Sequence, residues 1–111
     1  MPLPNRYFSK KQEKEVAKQL GGKTVSNSGA TRFDKGDAQT KDFLLECKTA
    51  TKQQKSFTIK KEWLLKKKEE AFAMGKDYNA LVFDFGDSKR YYIIDEKTFK
   101  IVQELLENDC I

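Results

Sequence analysis

The stretch from Phe33 to Thr49, FDKGDAQTKDFLLECKT, decides the fold and carries the residues that point to function. Side chains on a β-strand alternate between its two faces. In the second half of the stretch, this alternation places three apolar side chains on one face: Phe43, Leu45 and Cys47. Glu46 and Lys48 project from the opposite face, side by side. The apolar face predicts packing against a helix, and the opposite face is a candidate functional surface.

A second carboxylate, Asp37, precedes this strand and is expected on the neighbouring strand, close to Glu46. Two carboxylates and a lysine form the set that metal-dependent phosphodiester cleavage requires. Mg²⁺ prefers oxygen ligands, so we expect Asp37 and Glu46 to bind it, with the backbone carbonyl of Cys47 as a third ligand. Lys48 would orient or deprotonate a water, or stabilise charge on the phosphate.

A plainer interpretation of the same residues is a surface salt bridge between Glu46 and Lys48, with Asp37 as a turn residue. Asp34 is an alternative to Asp37 as the carboxylate that accompanies Glu46. We prefer Asp37 because it lies closer to the hairpin that would join it to Glu46.

The composition of the chain restricts the kinds of catalytic and metal sites that it can form. The 111 residues suit one domain with a real core, and 38% of them are hydrophobic. The chain has no histidine and only two cysteines, Cys47 and Cys110. Serine–histidine and cysteine–histidine catalysis are therefore excluded, as are standard structural zinc sites. A net charge of +5 favours a polyanionic partner such as nucleic acid.

No stretch approaches the length of a membrane span, and the first residues lack the apolar segment of a signal peptide. We therefore expect a soluble, intracellular, cytoplasmic protein with no membrane partner.

The first helix is predicted from a capping box at Ser9 and Gln12 to Leu20, where two glycines end it. Glu13 falls on the same stripe as Val16 and Leu20, so we expect it to turn inward, while Glu15 points to solvent. An inward carboxylate needs a partner. Glu13 would hold a second metal ion or a metal-bound water.

Between the first helix and the acidic strands lies a small polar loop, residues 27–31. Its glycine and the Ser28 hydroxyl suit close approach to a phosphate, although an ordinary connection has the same composition. Short strands are expected at 23–26 and from Arg32 to Asp37, flanking this loop.

The second half of the chain predicts a helix over 60–74, strands over 80–85 and 90–94, and a last helix capped by Asp95. The two strands are apolar on both faces, as central strands are. The helix over 60–74 has an expected apolar stripe of four residues: Leu64, Leu65, Ala71 and Phe72. Its lysines, Lys67 among them, would form a solvated face, with the end near residues 50–56 able to contact DNA. The predicted order is α-β-β-β-α-β-β-α, an α/β fold.

Four features in sequence resemble the PD-(D/E)xK nuclease superfamily, and within it the archaeal and phage-type Holliday junction resolvases. They are the helix acid Glu13, the loop SNSGA at 26–30, the GD pair ending at Asp37, and the ECK element at 46–48. Asp37 follows a glycine in place of the proline of the family name. The resemblance implies a restriction-endonuclease-like core, a central mixed β-sheet flanked by helices.

The resemblance also implies a homodimer that binds four-way DNA junctions and nicks two opposing strands with Mg²⁺ or Mn²⁺. By position, Glu13, Asp37 and Glu46 would be the metal-site acids, Lys48 the catalytic lysine and Ser28 a further active-site residue. Two other hypotheses stay open: a nickase or repair nuclease acting on other DNA, and a small basic nucleic-acid-binding protein without catalysis.

Overall fold

The structure, a computed structural model, describes residues 5–25, 37–50 and 52–108, with side chains for all of these except 5–9 and 37. Within these ranges the helices and strands follow the predicted order. They are α1 (Asn5–Leu20), β1 (Lys23–Thr24), β2 (Asp37–Gln39), β3 (Phe43–Lys48), α2 (Lys61–Ala73), β4 (Tyr78–Phe83), β5 (Tyr91–Ile93) and α3 (Glu96–Asn108). Predicted residues Ser28, Arg32, Asp34 and Cys110 lie outside the described ranges.

The five strands form one sheet in the order β1-β2-β3-β4-β5, with β3 at its centre. β3 and β4 run parallel, and the other pairs are antiparallel. A parallel pair needs a crossover, which α2 supplies between β3 and β4. The prediction of an α/β chain with a central mixed sheet flanked by helices is confirmed. The register places Asp37 opposite Glu46 and Lys48 opposite Phe83.

α1 packs on the apolar face of β3, as the alternation in the sequence predicted. The core cluster on this face joins one helix to three strands and consists of Val16, Ala17, Ala38, Leu45, Cys47, Ala80 and Val82. Leu45 is 2% exposed, and burying a leucine side chain stabilises the fold by about 1.5–3 kcal/mol. This packing fixes which way the other residues of β3 must point.

α2 lies on the opposite face of the sheet, but its buried side differs from the predicted stripe. Lys67 and Ala71 are buried, whereas Leu65 is 53% and Phe72 is 87% exposed. The predicted apolar stripe through Leu65 and Phe72 is therefore wrong, and so is the placement of Lys67 on a solvated face. The physical reason is an ion pair between Lys67 and Glu46, which turns the lysine toward the sheet.

β5 is one of the two edge strands of the described sheet, not a central one, and its Tyr91 and Tyr92 are 49% and 42% exposed. The segment was predicted as a central strand because both of its faces are apolar. Tyrosine, however, is also favourable on the half-exposed surface of an edge strand. α1 also begins earlier than expected, at Asn5, so Ser9 lies inside the helix and is not its cap.

α3 begins with the predicted cap, because the Asp95 carboxylate accepts a hydrogen bond from the backbone N–H of Thr98 at 2.8 Å. The apolar stripe of α3, however, lies largely in solvent. The exposed apolar side chains of α3 are Phe99, Val102, Leu105 and Leu106. Among the described residues, no helix combines the length and the apolar character needed to cross a membrane.

Candidate active site

Glu46 is the centre of the site. The apolar packing of its neighbours Leu45 and Cys47 directs Glu46 to the α2 face of the sheet, where its residue is only 9% exposed. Its Oε1 lies 3.1 Å from Lys48 Nζ, and its Oε2 lies 2.8 Å from Lys67 Nζ. The predicted neighbourhood of Glu46 and Lys48 is therefore present, and a second lysine completes it.

Lys67 is a site residue that sequence reasoning missed. Its Nζ also lies 2.7 Å from Glu70 Oε2, so the nearly buried ammonium bridges two carboxylates. Burying an unpaired ammonium costs several kcal/mol, and this pairing offsets that cost. The one signal in the sequence was spacing, because Lys67 follows Leu64 by three positions and precedes Ala71 by four, on one helix face.

Trp63 forms a wall beside Lys48. The Lys48 ammonium lies 4.3 Å from the centre of the indole ring, and Lys60 Nζ lies 5.7 Å from it. The π face attracts a cation, as the Glu46 carboxylate does from another side. Lys48 is 28% exposed in its side chain, so it is fixed by two neighbours and still open to solvent.

Glu13 lies on α1, half-buried, next to the buried Gln12. Burial raises the pKa of the Glu13 carboxyl, Lys10 lowers it, and the negative charge of Glu46 raises it further. Burial is therefore the main cause of the raised pKa of Glu13, and the charge of Glu46 is a lesser one. Glu15, which we expected to point only to solvent, is 43% exposed in its side chain and forms an ion pair with Arg90.

Asp37 is the first residue of β2, and its backbone is the register partner of Glu46. The register thus brings the backbones of these two predicted residues side by side on neighbouring strands. Cys47, in contrast, turns its thiol into the core, so the thiol does not reach the α2 face.

A buried polar network joins α1 to the ends of β3 and β4. Gln12 donates a hydrogen bond to Asp84 at 3.1 Å and accepts one from the Thr49 hydroxyl at 2.9 Å. The Asp84 carboxylate also accepts from the backbone N–H groups of Ala50 at 3.3 Å and Gly86 at 2.9 Å. The network fixes where the chain leaves β3, and hence the position of the residues that follow Lys48.

The predicted ligands Glu13, Asp37 and Glu46 are all carboxylates, the donor type that Mg²⁺ and Mn²⁺ prefer. Among the side chains that the structure describes, no three acidic or thiol groups form a ligand cluster. The Asp37 side chain, the remaining member of the predicted set, lies outside that description.

Comparison with known proteins adds no relatives: no family model matches the chain, and neither a curated protein nor a solved structure does.

Proposed function

We propose that this protein is a metal-dependent endodeoxyribonuclease that hydrolyses phosphodiester bonds in branched DNA, as a Holliday junction resolvase does. The observation that carries the proposal is the placement of Glu46. Its backbone is the register partner of Asp37, and its carboxylate lies 3.1 Å from Lys48 Nζ on the face of the sheet that α2 covers. A structural ion-pair network also accounts for Glu46, Lys48 and Lys67, and the resemblance of Asp37, Glu46 and Lys48 to a nuclease motif favours the catalytic role.

In the proposed reaction, the residues of the site have separate roles. Glu13, Asp37 and Glu46 would hold a divalent cation, and that cation would offset charge on the phosphate and acidify water. Lys48 directs its ammonium to a phosphate oxygen, where it stabilises the negative charge that builds up as water adds to phosphorus and a nucleoside oxygen leaves. Trp63 holds Lys48 in place, and Lys67 holds the other oxygen of Glu46.

The proposed substrate and assembly follow from the sequence resemblance and from charge. A restriction-endonuclease-like core is the finer fold that we propose for the observed sheet and helices. A two-fold four-way junction requires two symmetric cuts, which one compact site cannot make, so we propose a homodimer. The basic charge of the chain suits a DNA partner.

The test is cleavage of a labelled synthetic four-way junction by the purified protein, with and without Mg²⁺ or Mn²⁺, beside linear duplex of the same sequence. We expect metal-dependent nicks at symmetric positions on opposing strands of the junction only. Equal cutting of the linear duplex would overturn the resolvase assignment in favour of a nickase or repair nuclease. Binding without any cleavage would leave a non-catalytic nucleic-acid-binding protein.

A further inference from the structure

The positive charge of the chain is concentrated beside the site. Residues 47–61 contain five lysines and no acidic residue. The whole chain has 22 basic and 17 acidic residues, so the remainder is balanced at 17 of each. The segment thus carries a formal charge of +5, while the charges of the rest of the chain sum to zero. The lysines of the segment are Lys48, Lys52, Lys55, Lys60 and Lys61.

Part of this segment, residues 52–60, contains no helix or strand but is attached to the sheet, and we name it the anchored loop. The backbone N–H of Gln54 donates to the Phe85 carbonyl at 2.9 Å. The Phe57 ring packs on Phe83 with centroids 5.0 Å apart. Just before the loop, Ala50 is bonded to the buried Asp84.

A close backbone approach at Gly86 also holds the loop. A Cβ at Gly86 would lie 2.3 Å from the Lys52 carbonyl oxygen, so only glycine permits this approach, and its φ of +87° also favours glycine. These attachments use backbone and apolar groups. The side chains of Lys52, Lys55 and Lys60 are exposed.

We propose that the anchored loop binds the phosphates of the DNA strand on either side of the bond that is cut. The proposal rests on the proposed function, because it assigns the partner by the chemistry of the neighbouring site. Lys60 and Lys48 lie against the same indole ring, which makes the loop continuous with that site. A loop that is already attached to the sheet loses little entropy when it binds DNA. Less of the attraction between its lysines and the phosphates is therefore offset, and the affinity is higher.

The test is binding of a labelled four-way junction without metal ions, over a range of salt concentrations. The triple variant Lys52→Gln, Lys55→Gln, Lys60→Gln is compared with the control Lys18→Gln, Lys97→Gln, Lys100→Gln, which removes the same charge from exposed positions of α1 and α3. We expect the loop variant to bind about ten- to a hundredfold more weakly. The slope of its salt dependence should fall by roughly one unit for each phosphate that the variant no longer neutralises.

The control variant is expected to change affinity by less than about threefold, since charges distant from the DNA are screened. Equal weakening in both variants, or none in the loop variant, would overturn the inference. Tighter binding of the wild type to RNA than to DNA of the same sequence would overturn the assigned partner.

Failure of the inference is distinguishable from failure of the proposed function. A wild-type protein that binds DNA through the loop but never cuts it contradicts only the nuclease assignment. A wild-type protein that cuts junctions, with the loop variant binding them normally, contradicts only the loop. Equal melting temperatures for the two variants and the wild type establish that any weaker binding does not come from a failure to fold.

Discussion

Glu46 is held between two lysines that differ in exposure, and this difference separates their roles. Lys48 is open to solvent on one side, whereas Lys67 is enclosed between Glu46 and Glu70. The exposed lysine is placed to meet a phosphate. The enclosed lysine keeps the Glu46 carboxylate in one orientation, so its contribution is to the geometry of the site.

The central prediction at this scale concerns Glu46→Gln. The amide keeps the size of the side chain but removes the charge that a divalent cation needs, so we expect metal-dependent junction cleavage to fall by about 10³-fold. Binding of the junction should survive, because phosphate contacts come mainly from lysines. Single-turnover cleavage and filter binding measure the two properties. Glu62→Gln, an exposed change on α2, is the control and should leave both unaltered.

Lys67→Met tests the enclosed lysine. Removing its ammonium takes away the cation that contacts both Glu46 and Glu70, although Lys48 still contacts Glu46. We therefore expect a decrease of about 2–4 kcal/mol in the free energy of unfolding. Denaturant unfolding in metal-free buffer measures the decrease. Lys68→Met, a neighbouring exposed position, should cost less than about 0.5 kcal/mol. Similar values for the two variants would contradict the buried ion pair.

Glu13→Gln should raise stability while it lowers activity. The raised pKa of Glu13 means that the folded state holds a proton more tightly than the unfolded chain, so the ionised form lowers stability above that pKa. We expect the metal-free variant to melt higher than the wild type at pH 7, by on the order of a degree or two.

The stability gain of Glu13→Gln should disappear as the pH falls below the ordinary carboxyl value of 4.5, where Glu13 is protonated in both states. Thermal melts between about pH 3 and pH 7, at about one-unit steps, give the profile. A gain that stays constant across this range would show that charge is not its cause.

At the scale of the elements, much of the fold could be predicted because short-range patterns determine it. The alternation through Leu45, Glu46 and Lys48 correctly assigned the two faces of β3, and Asp95 correctly marked the start of α3. The buried side of α2 could not be predicted, because Lys67 is buried by a partner on another element. The Gln12–Asp84 bond joins residues 72 positions apart, and no local pattern encodes it.

The cap of α3 gives a prediction at this scale. Hydrogen bonds from the backbone and side chain of Thr98 lower the pKa of Asp95. The ionised carboxylate therefore stabilises the folded protein at neutral pH, and this stabilisation is lost as the pH falls through the lowered pKa. Asp95→Ala should cost about 1 kcal/mol at pH 7. Asp95→Asn, which keeps a capping oxygen, should cost less and remove this pH dependence. Chemical denaturation at pH 7 and about pH 3 separates the two variants.

At the scale of the whole molecule, α3 leaves the protein with an exposed apolar stripe. A 13-residue helix is marginal in water unless it packs, yet Phe99, Leu105 and Leu106 are each more than half exposed. The proposed homodimer would cover this stripe. We expect sedimentation at micromolar concentration to give a dimer, and Val102→Glu with Leu105→Glu to give a folded monomer. A wild-type monomer under these conditions would contradict the homodimer.

The position of Trp63 has an optical consequence. It is the one tryptophan in the chain, and its indole lies against the Lys48 ammonium. Intrinsic tryptophan emission from the unlabelled protein therefore originates at a single point beside the candidate site. A change in its intensity or wavelength on addition of metal ions or DNA reports events there, and Lys48→Met should alter the signal before any ligand is present.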